Sequence, residues 1–303
     1  MIVIYTFKTT TTVPSAFATN KEKNLNFLCI TSHSTISFND LGIKQINSFL
    51  KFWPTEVKMI ALIDPGLDLD SYFKTHHWPR ERIILKSFEC QQLNEFKDAH
   101  RDSRYHGRQF FTAKKTRSPI RFIKSIRPFG YNFLRDSVRF SHKVFAIRKG
   151  IENSDADVVF WLDGDLVTHS KVTPDFFNKF TDDTFVSYFL DRTDPSYTET
   201  GFHAFNVKHS LFYKFLSTWE KYYTNAKFSK LDQWTDCHTF DATRTEIGKK
   251  FFSNISHVDC AHPLVNCFLG DYFDHLKGSR KSEGKSRRVD RIIFDQHPYW
   301  DNI

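Results

Sequence analysis

The 303-residue chain predicts an α/β fold: a mixed, mostly parallel central sheet flanked by helices, in a single domain. Three observations carry this. Apolar strand-like runs alternate with amphipathic helical stripes, the order that builds βαβ units. The length suits one large α/β domain with a substantial core. The core material is aromatic, since Phe, Trp and Tyr make up 17% of the chain and 33 residues are Phe, a composition outside the disordered range.

The elements follow in order. Residues 1–23 are a loose N-terminal segment, polar from residue 10 onward ("TTTVPSAFATNKEK"). "NFLCITSHS" (26–34) reads as a buried strand ending in a hydroxyl-rich loop. In "FNDLGIKQINSFLKFW" (38–53), Leu41, Ile46, Phe49, Leu50 and Trp53 approximate a helical stripe that Pro54 ends. "VKMIALID" (57–64) and "RIILKSF" (82–88) are the next two strands. Residues 97–127 carry Arg101, Arg104, Arg108, Lys114, Lys115, Arg117 and Arg121 among few apolar residues, and read as a solvated loop or insertion. Phe133, Phe140, Val144, Ile147 and Ile151 form a helical stripe, with Arg135, Arg139 and Lys143 along another face. Then comes "VVFWLDGDLV" (158–167), an interior strand interrupted by two acids. Strands over 183–190 and 203–207, a loop between them and an amphipathic helix over 208–223 complete the ordered part. The cationic, Gly- and Ser-rich stretch "KGSRKSEGKSRR" (277–288) is expected to be mobile without a ligand.

The formal net charge is +8, which favours anionic partners: nucleic acid, an acidic membrane or nucleotide phosphates. A basic surface with no partner is the plain alternative. The five cysteines are an odd number without a CxxC pair, as expected in a reducing, cytoplasmic setting rather than in a disulfide framework. No stretch reaches the roughly 18 apolar residues that span a bilayer. "MIVIYTFK" is too short for the apolar core of a signal peptide. A soluble or at most peripheral membrane protein is expected.

The chemistry concentrates at Asp163-Gly164-Asp165. A buried carboxylate is unfavourable unless it is paired or holds a metal. Alternation along a strand points Asp163 and Asp165 to one side, and Gly164 removes bulk between them. Two such carboxylates at a strand end suit a divalent cation with oxygen ligands, the usual escort of phosphates. The alternative is a capped strand-to-turn carboxylate. In "HLKGSRK" (275–281), His275 offers an imidazole ligand, Gly278 lets backbone approach a phosphate, and Lys281 brings a point charge. Taken on its own, His275 reads as an ordinary surface histidine.

Taken in order, the D-x-D strand end, "TETGFHAFN" (198–206), "QWTDCHTFD" (233–241) and "HLKGSRK" resemble the nucleotide-sugar glycosyltransferases of the GT-A fold. The resemblance covers roughly residues 130–285, and "HLKGSRK" is similar to the H-x-x-G-x-x-K of glycogenin-like members. It implies a GT-A-like (Rossmann-like) domain over 24–303, with a nucleotide-binding half (24–165) and an acceptor-binding half (166–303). It also implies Mn2+ or Mg2+ held by Asp163, Asp165 and His275. Thr31, Asp64, Lys143, Asp163, Gly278 and Lys281 are then nucleotide and diphosphate contacts. Glu199, Thr200, Gly201 and Trp234 would face the sugar or acceptor, and Asp236 matches the acid offered to the acceptor hydroxyl. Trp234, His238 and Phe240 beside Asp236 are an environment that raises a carboxyl pKa toward working pH. The implied partners are a UDP- or GDP-type sugar and a glycan, glycoprotein or lipid-linked acceptor, without nucleic acid. The donor sugar and the anomeric outcome stay open. Two other classes compete: a basic nucleic-acid binder, which leaves the D-x-D strand unexplained, and a metal-dependent phosphoryl-transfer enzyme, which wants more acids.

Overall fold

The computed structural model describes residues 25–109, 130–192, 197–256, 260–292 and 297–301. The N-terminal 1–23 segment, and Lys114, Lys115, Arg117 and Arg121 of the basic stretch, lie outside these residues. The main sheet has seven strands: β1 (Phe27–His33), β2 (Lys58–Ile63), β3 (Ile83–Ser87), β6 (Val158–Leu162), β8 (Ser187–Leu190), β9 (Glu199–Asn206) and β10 (Phe252–Asn254). Their order is β10-β8-β9-β6-β1-β2-β3. All neighbours run parallel except those of β9, which is antiparallel to both β6 and β8. This is the mixed, mostly parallel central sheet that the sequence predicts. Two small antiparallel pairs sit beside it: β4 (His106–Gln109) with β5 (Gly130–Asp136), and β7 (Leu166–Thr168) with β11 (Phe273–His275).

A parallel strand covered on both faces must be apolar on both, and β6 shows this directly. Val158, Phe160 and Leu162 point into one buried cluster, with Phe49, Trp53, Phe176 and Phe202. Val159 and Trp161 point into the other, with Phe145, Phe215, Trp219 and Phe240. Helix α1 (Ile43–Phe52) contributes Phe49 to the first cluster. Helices α4 (Ser137–Ile151), α5 (Phe212–Thr224) and α6 (Asp236–Ile247) cover the second. Helix α2 (Leu69–His76) connects β2 to β3, and α3 (Gln91–Ala99) follows β3. Among the described residues, no helix is long and apolar enough to cross a membrane.

Several boundaries differ from the expected ones. Phe133 belongs to strand β5, not to the helical stripe, because Asp136 stops the strand and caps α4 by accepting from Arg139 N at 3.0 Å. "TETGF" is not a loop: β9 starts at Glu199 and is buried along its whole length. Short β7 and β11 gave too little periodic sequence to be seen.

Candidate metal and nucleotide site

The two acids do not alternate along the strand. β6 ends at Leu162, and Asp163-Gly164-Asp165 form the turn into β7. The turn is pinned on several sides. Asp163 N donates to Gly201 O at 2.9 Å, and Leu166 N to Asp163 O at 2.9 Å. Gln45 Nε2, from α1, donates to the same Asp163 carbonyl at 2.8 Å. A Cβ on Gly164 would fall 2.6 Å from His33 Cε1, so glycine is the residue that fits there. β11 lies antiparallel to β7 with His275 opposite Leu166, and Leu276 N donates to Asp165 O at 2.9 Å. This pairing brings the late histidine to the two carboxylates.

The result is one ligand group. Asp163, Asp165 and His275 each offer an atom within 4.8 Å of the others. His275 Nε2 is 3.0 Å from Asp165 Oδ1 and 3.9 Å from Asp163 Oδ2. Two carboxylates and an imidazole are a donor set for Mn2+ or Mg2+. Cations of the chain complete the charge balance. Lys281 Nζ stands 2.9 Å from Asp165 Oδ2, and Lys143 Nζ 2.9 Å from Asp163 Oδ1. Trp161 Nε1 also donates to Asp163 Oδ1 at 2.7 Å, which leaves Oδ2 facing His275.

Burial opposes charge at His275, Asp165 and Asp163, and the balance against their partners differs from one to the next. Burial favours neutral His275, but Asp165 and Glu199 together outweigh it and raise the pKa to about 9. Asp165 is held below the usual range because His275 and Lys281 overcome burial. Asp163 is raised, since burial there exceeds the help from Lys143.

Two cavities meet at these carboxylates. The larger, about 690 Å³, is lined by Ser32, His33, Asp64, Arg139, His142 and Lys281, together with Asp163, Asp165 and Asp236. The smaller, about 310 Å³, is lined by Phe133, Arg192, Tyr197, Glu199, Thr200 and Lys277, with the same three aspartates and His275. Ligands of open α/β sheets bind at the carboxyl ends of the strands, where both cavities lie.

Asp64 reaches the larger cavity, at the end of β2. Thr31 does not line it: the side chain is fully buried and its hydroxyl donates to Gln45 Oε1 at 3.1 Å. His33 takes that place, a residue that sequence reasoning passed over. Gln45 presents its amide nitrogen to a carbonyl, so its oxygen faces His33 Nε2 at 3.0 Å. His33 therefore carries its proton on Nε2, and burial lowers its pKa to about 4. Its Nδ1 is left as an acceptor, 3.4 Å from Ser37 Oγ.

Lys143 is an internal clamp rather than a free phosphate ligand. Its ammonium contacts Asp163, Asp236 and Thr200 O, the last at 2.7 Å, and it has three protons to give. Asp236, at the start of α6, is consequently not raised toward neutrality as expected. Burial pushes its pKa up, but Lys143, Thr200 Oγ1 (2.8 Å) and Cys237 N (3.0 Å) outweigh burial and lower it. Trp234 is not among the residues that line either cavity. It stacks on Tyr105 with centroids 5.7 Å apart, under the Arg135 guanidinium. Gly278 adopts φ +58° in a turn and lines neither cavity. Gly201 lies on β9, where a Cβ would meet His275 Cε1 at 2.3 Å, so its role is to admit the imidazole.

The 277–288 stretch, expected to be mobile, has acids within the chain for its cations. Lys277 pairs with Glu199, Arg280 with Asp290, Lys281 with Asp165 and Arg287 with Glu283. Ser286 N also donates to Asp274 Oδ2 at 2.8 Å. Composition alone could not reveal Glu199 and Asp165, which lie far off in sequence. The Lys281–Asp165 pair has a consequence for binding, because Lys281 neutralises an oxygen that a cation would use. Lys281→Gln is expected to tighten Mn2+ binding alone several-fold, and to weaken nucleoside diphosphate binding in the presence of Mn2+. Titrations with and without nucleotide check both signs. A change in the same direction in both would show that Lys281 does not exchange between carboxylate and phosphate.

No protein-family model matches the chain, and no curated protein does. Solved structures similar to it include several glycosyltransferases. Mouse xyloside xylosyltransferase 1 shares 12% identity over 76% of this chain and 85% of its own, at a TM-score of 0.44. Core-mannan synthase A from Aspergillus fumigatus, in its Mn/GDP form, shares 9% over 77% and 72%, at 0.47. The mannosyltransferase Ktr4p from S. cerevisiae shares 9% over 71% of this chain, at 0.42. The chain spans 64% of that enzyme, less than two thirds. Scores below 0.5 at such identities carry no chemistry to this chain, which has to come from its own residues.

Proposed function

We propose that the chain is a divalent-cation-dependent glycosyltransferase, moving a hexose or pentose from a UDP- or GDP-type sugar to an acceptor hydroxyl. The supporting observation is that Asp163, Asp165 and His275 stand together where the two cavities meet. A cation held there, Mn2+ or Mg2+, supplies Lewis-acid stabilisation of the departing diphosphate. Lys281, released from Asp165, would add its charge to that diphosphate, and Ser32, His33 and Asp64 would line the nucleoside side. The smaller cavity would take the sugar and the acceptor hydroxyl of a glycan, glycoprotein or lipid-linked molecule. Two-ion phosphoryl transfer fits less well, because the described residues contain a single ligand group of this kind. The test is a screen of nucleotide sugars for hydrolysis with Mn2+ and with EDTA. A chain that hydrolyses none and binds no nucleoside diphosphate is not this enzyme.

The Lys143–Asp236 pair bears on the stereochemical course. A general base needs a carboxylate free to take a proton near working pH. Asp236, Asp163, Asp165 and Glu199 each face a cation of the chain. Retention of anomeric configuration is the expected outcome, with the acceptor's proton passing to the departing phosphate oxygen. Asp236→Asn should then lose less than the about 10²–10⁴-fold that a positioned base contributes. NMR of the product anomer decides: an inverted product would return Asp236 to the role of base.

A further inference from the structure

We infer that Glu199 is a positioning residue for His275 rather than a sugar contact, fixing the imidazole so that Nε2 faces the cation site. The inference rests on the proposed cation site and gives one of its ligands a partner.

An imidazole can offer a lone pair from Nε2 only if Nδ1 carries the proton, and a buried Nδ1–H needs an acceptor. His275 has a side-chain exposure of 3%, as does Glu199, and Glu199 Oε1 lies 3.3 Å from His275 Nδ1. That nitrogen has no fully formed hydrogen bond, and the Glu199 carboxylate is the acceptor that stands beside it. Meanwhile Nε2 is turned to Asp165 at 3.0 Å. The ring thus stands between two carboxylates, one beside each nitrogen.

Glu199 is built to stay ionised and still. Its Oε2 accepts from both Arg192 and Lys277, while Oε1 accepts from Gly201 N at 3.3 Å. Lys277 and Arg192 on one oxygen, with His275 beside the other, keep the carboxylate charged despite burial. Arg192 is itself held over the Tyr197 ring, 4.7 Å from its centroid. Lys277 follows His275 by two residues, and its N–H donates to His275 O at 2.8 Å, so one short stretch delivers the ligand and a clamp for its partner. The space for this contact depends on Gly201, since a Cβ there would lie 2.5 Å from Nδ1 and 3.0 Å from Glu199 Oε1. A carboxylate devoted to these contacts has little capacity left for sugar hydroxyls.

The test uses the full chain and reads the ring directly. Nitrogen NMR of His275 in the wild-type protein with Mg2+ should show the Nδ1–H tautomer. Manganese binding, followed by EPR without nucleotide, should weaken by about 10–100-fold in Glu199→Met, the usual cost of losing such a partner. Glu199→Gln, whose amide oxygen can still accept from Nδ1–H, should recover part of the affinity. A folded Glu199→Met that binds Mn2+ like the wild type overturns the inference. So does a wild-type His275 that holds its proton on Nε2 with Mg2+ present, a result that needs no variant to fold. Wild-type protein that binds no Mn2+ at all overturns the proposed cation site and this inference together, which separates the two failures.

Discussion

Asp165→Ala is expected to lower glycosyl transfer by about 10³-fold or more while the protein remains folded. Asp165 contacts both His275 and Lys281, at 3.0 and 2.9 Å. Without its carboxylate a cation keeps only Asp163 and His275 as side-chain ligands. Lewis-acid help worth several kcal/mol is then lost, and each 1.36 kcal/mol is about a tenfold change in rate. The fold should survive because Asp165 sits in a turn and its main structural bond, from Leu276 N at 2.9 Å, goes to its backbone carbonyl. Asp165→Asn separates charge from shape and should lose nearly as much. The measurements are transfer rates across a Mn2+ titration, with thermal unfolding as the control. Full turnover by folded Asp165→Ala, or wild-type turnover indifferent to EDTA, would mean that the carboxylate pair has another purpose.

The sequence made parts of this site legible for definite reasons. β1, β2 and β6 are buried on both faces, so their continuous apolar runs stand out against the polar loops between them. The two acids at 163 and 165 interrupt such a run, which marks them at once. His275 was reachable only through its motif, because β11 is three residues long and its pairing with β7 spans more than a hundred positions. What the sequence could not supply was pairing. Lys143 lies on a periodic helix face and, by the resemblance, is expected to contact the nucleotide diphosphate, but the turn after β6, β9 and α6 surround it with Asp163, Thr200 and Asp236. Asp236 differs from expectation for the same reason: its sequence neighbours predict a raised pKa, whereas its spatial neighbour is an ammonium. Thr31 and His33 show a finer limit, since two residues along one strand separate a buried hydroxyl from a cavity wall.

Lys143→Met should therefore act mainly on stability. The Lys143 side chain is 8% exposed and that of Asp236 6%, with Asp163 at 27% on the other flank. Burial alone would lower the Lys143 pKa, but Asp163 and Asp236 outweigh burial and raise it above the ordinary value. Methionine keeps the length of the stem and removes the charge, which leaves two carboxylates facing each other across a buried gap. Breaking a buried ion pair in this way costs about 3–5 kcal/mol, because the remaining charge has no compensation. At about 2–4 °C per kcal/mol for a chain of this size class, the melting temperature should fall by roughly 10 °C. Adding Asp236→Asn removes one of the stranded charges, so the double variant should be more stable than Lys143→Met alone. The shortfall from additivity should lie in the about 0.5–3 kcal/mol range of contacting pairs. A diphosphate ligand would behave differently: the Met variant would melt like the wild type and lose affinity for nucleoside diphosphate. Unfolding curves of the four proteins in the cycle, with a nucleotide titration of each, distinguish the two, and a Lys143→Met protein of unchanged stability would take Lys143 out of the clamp.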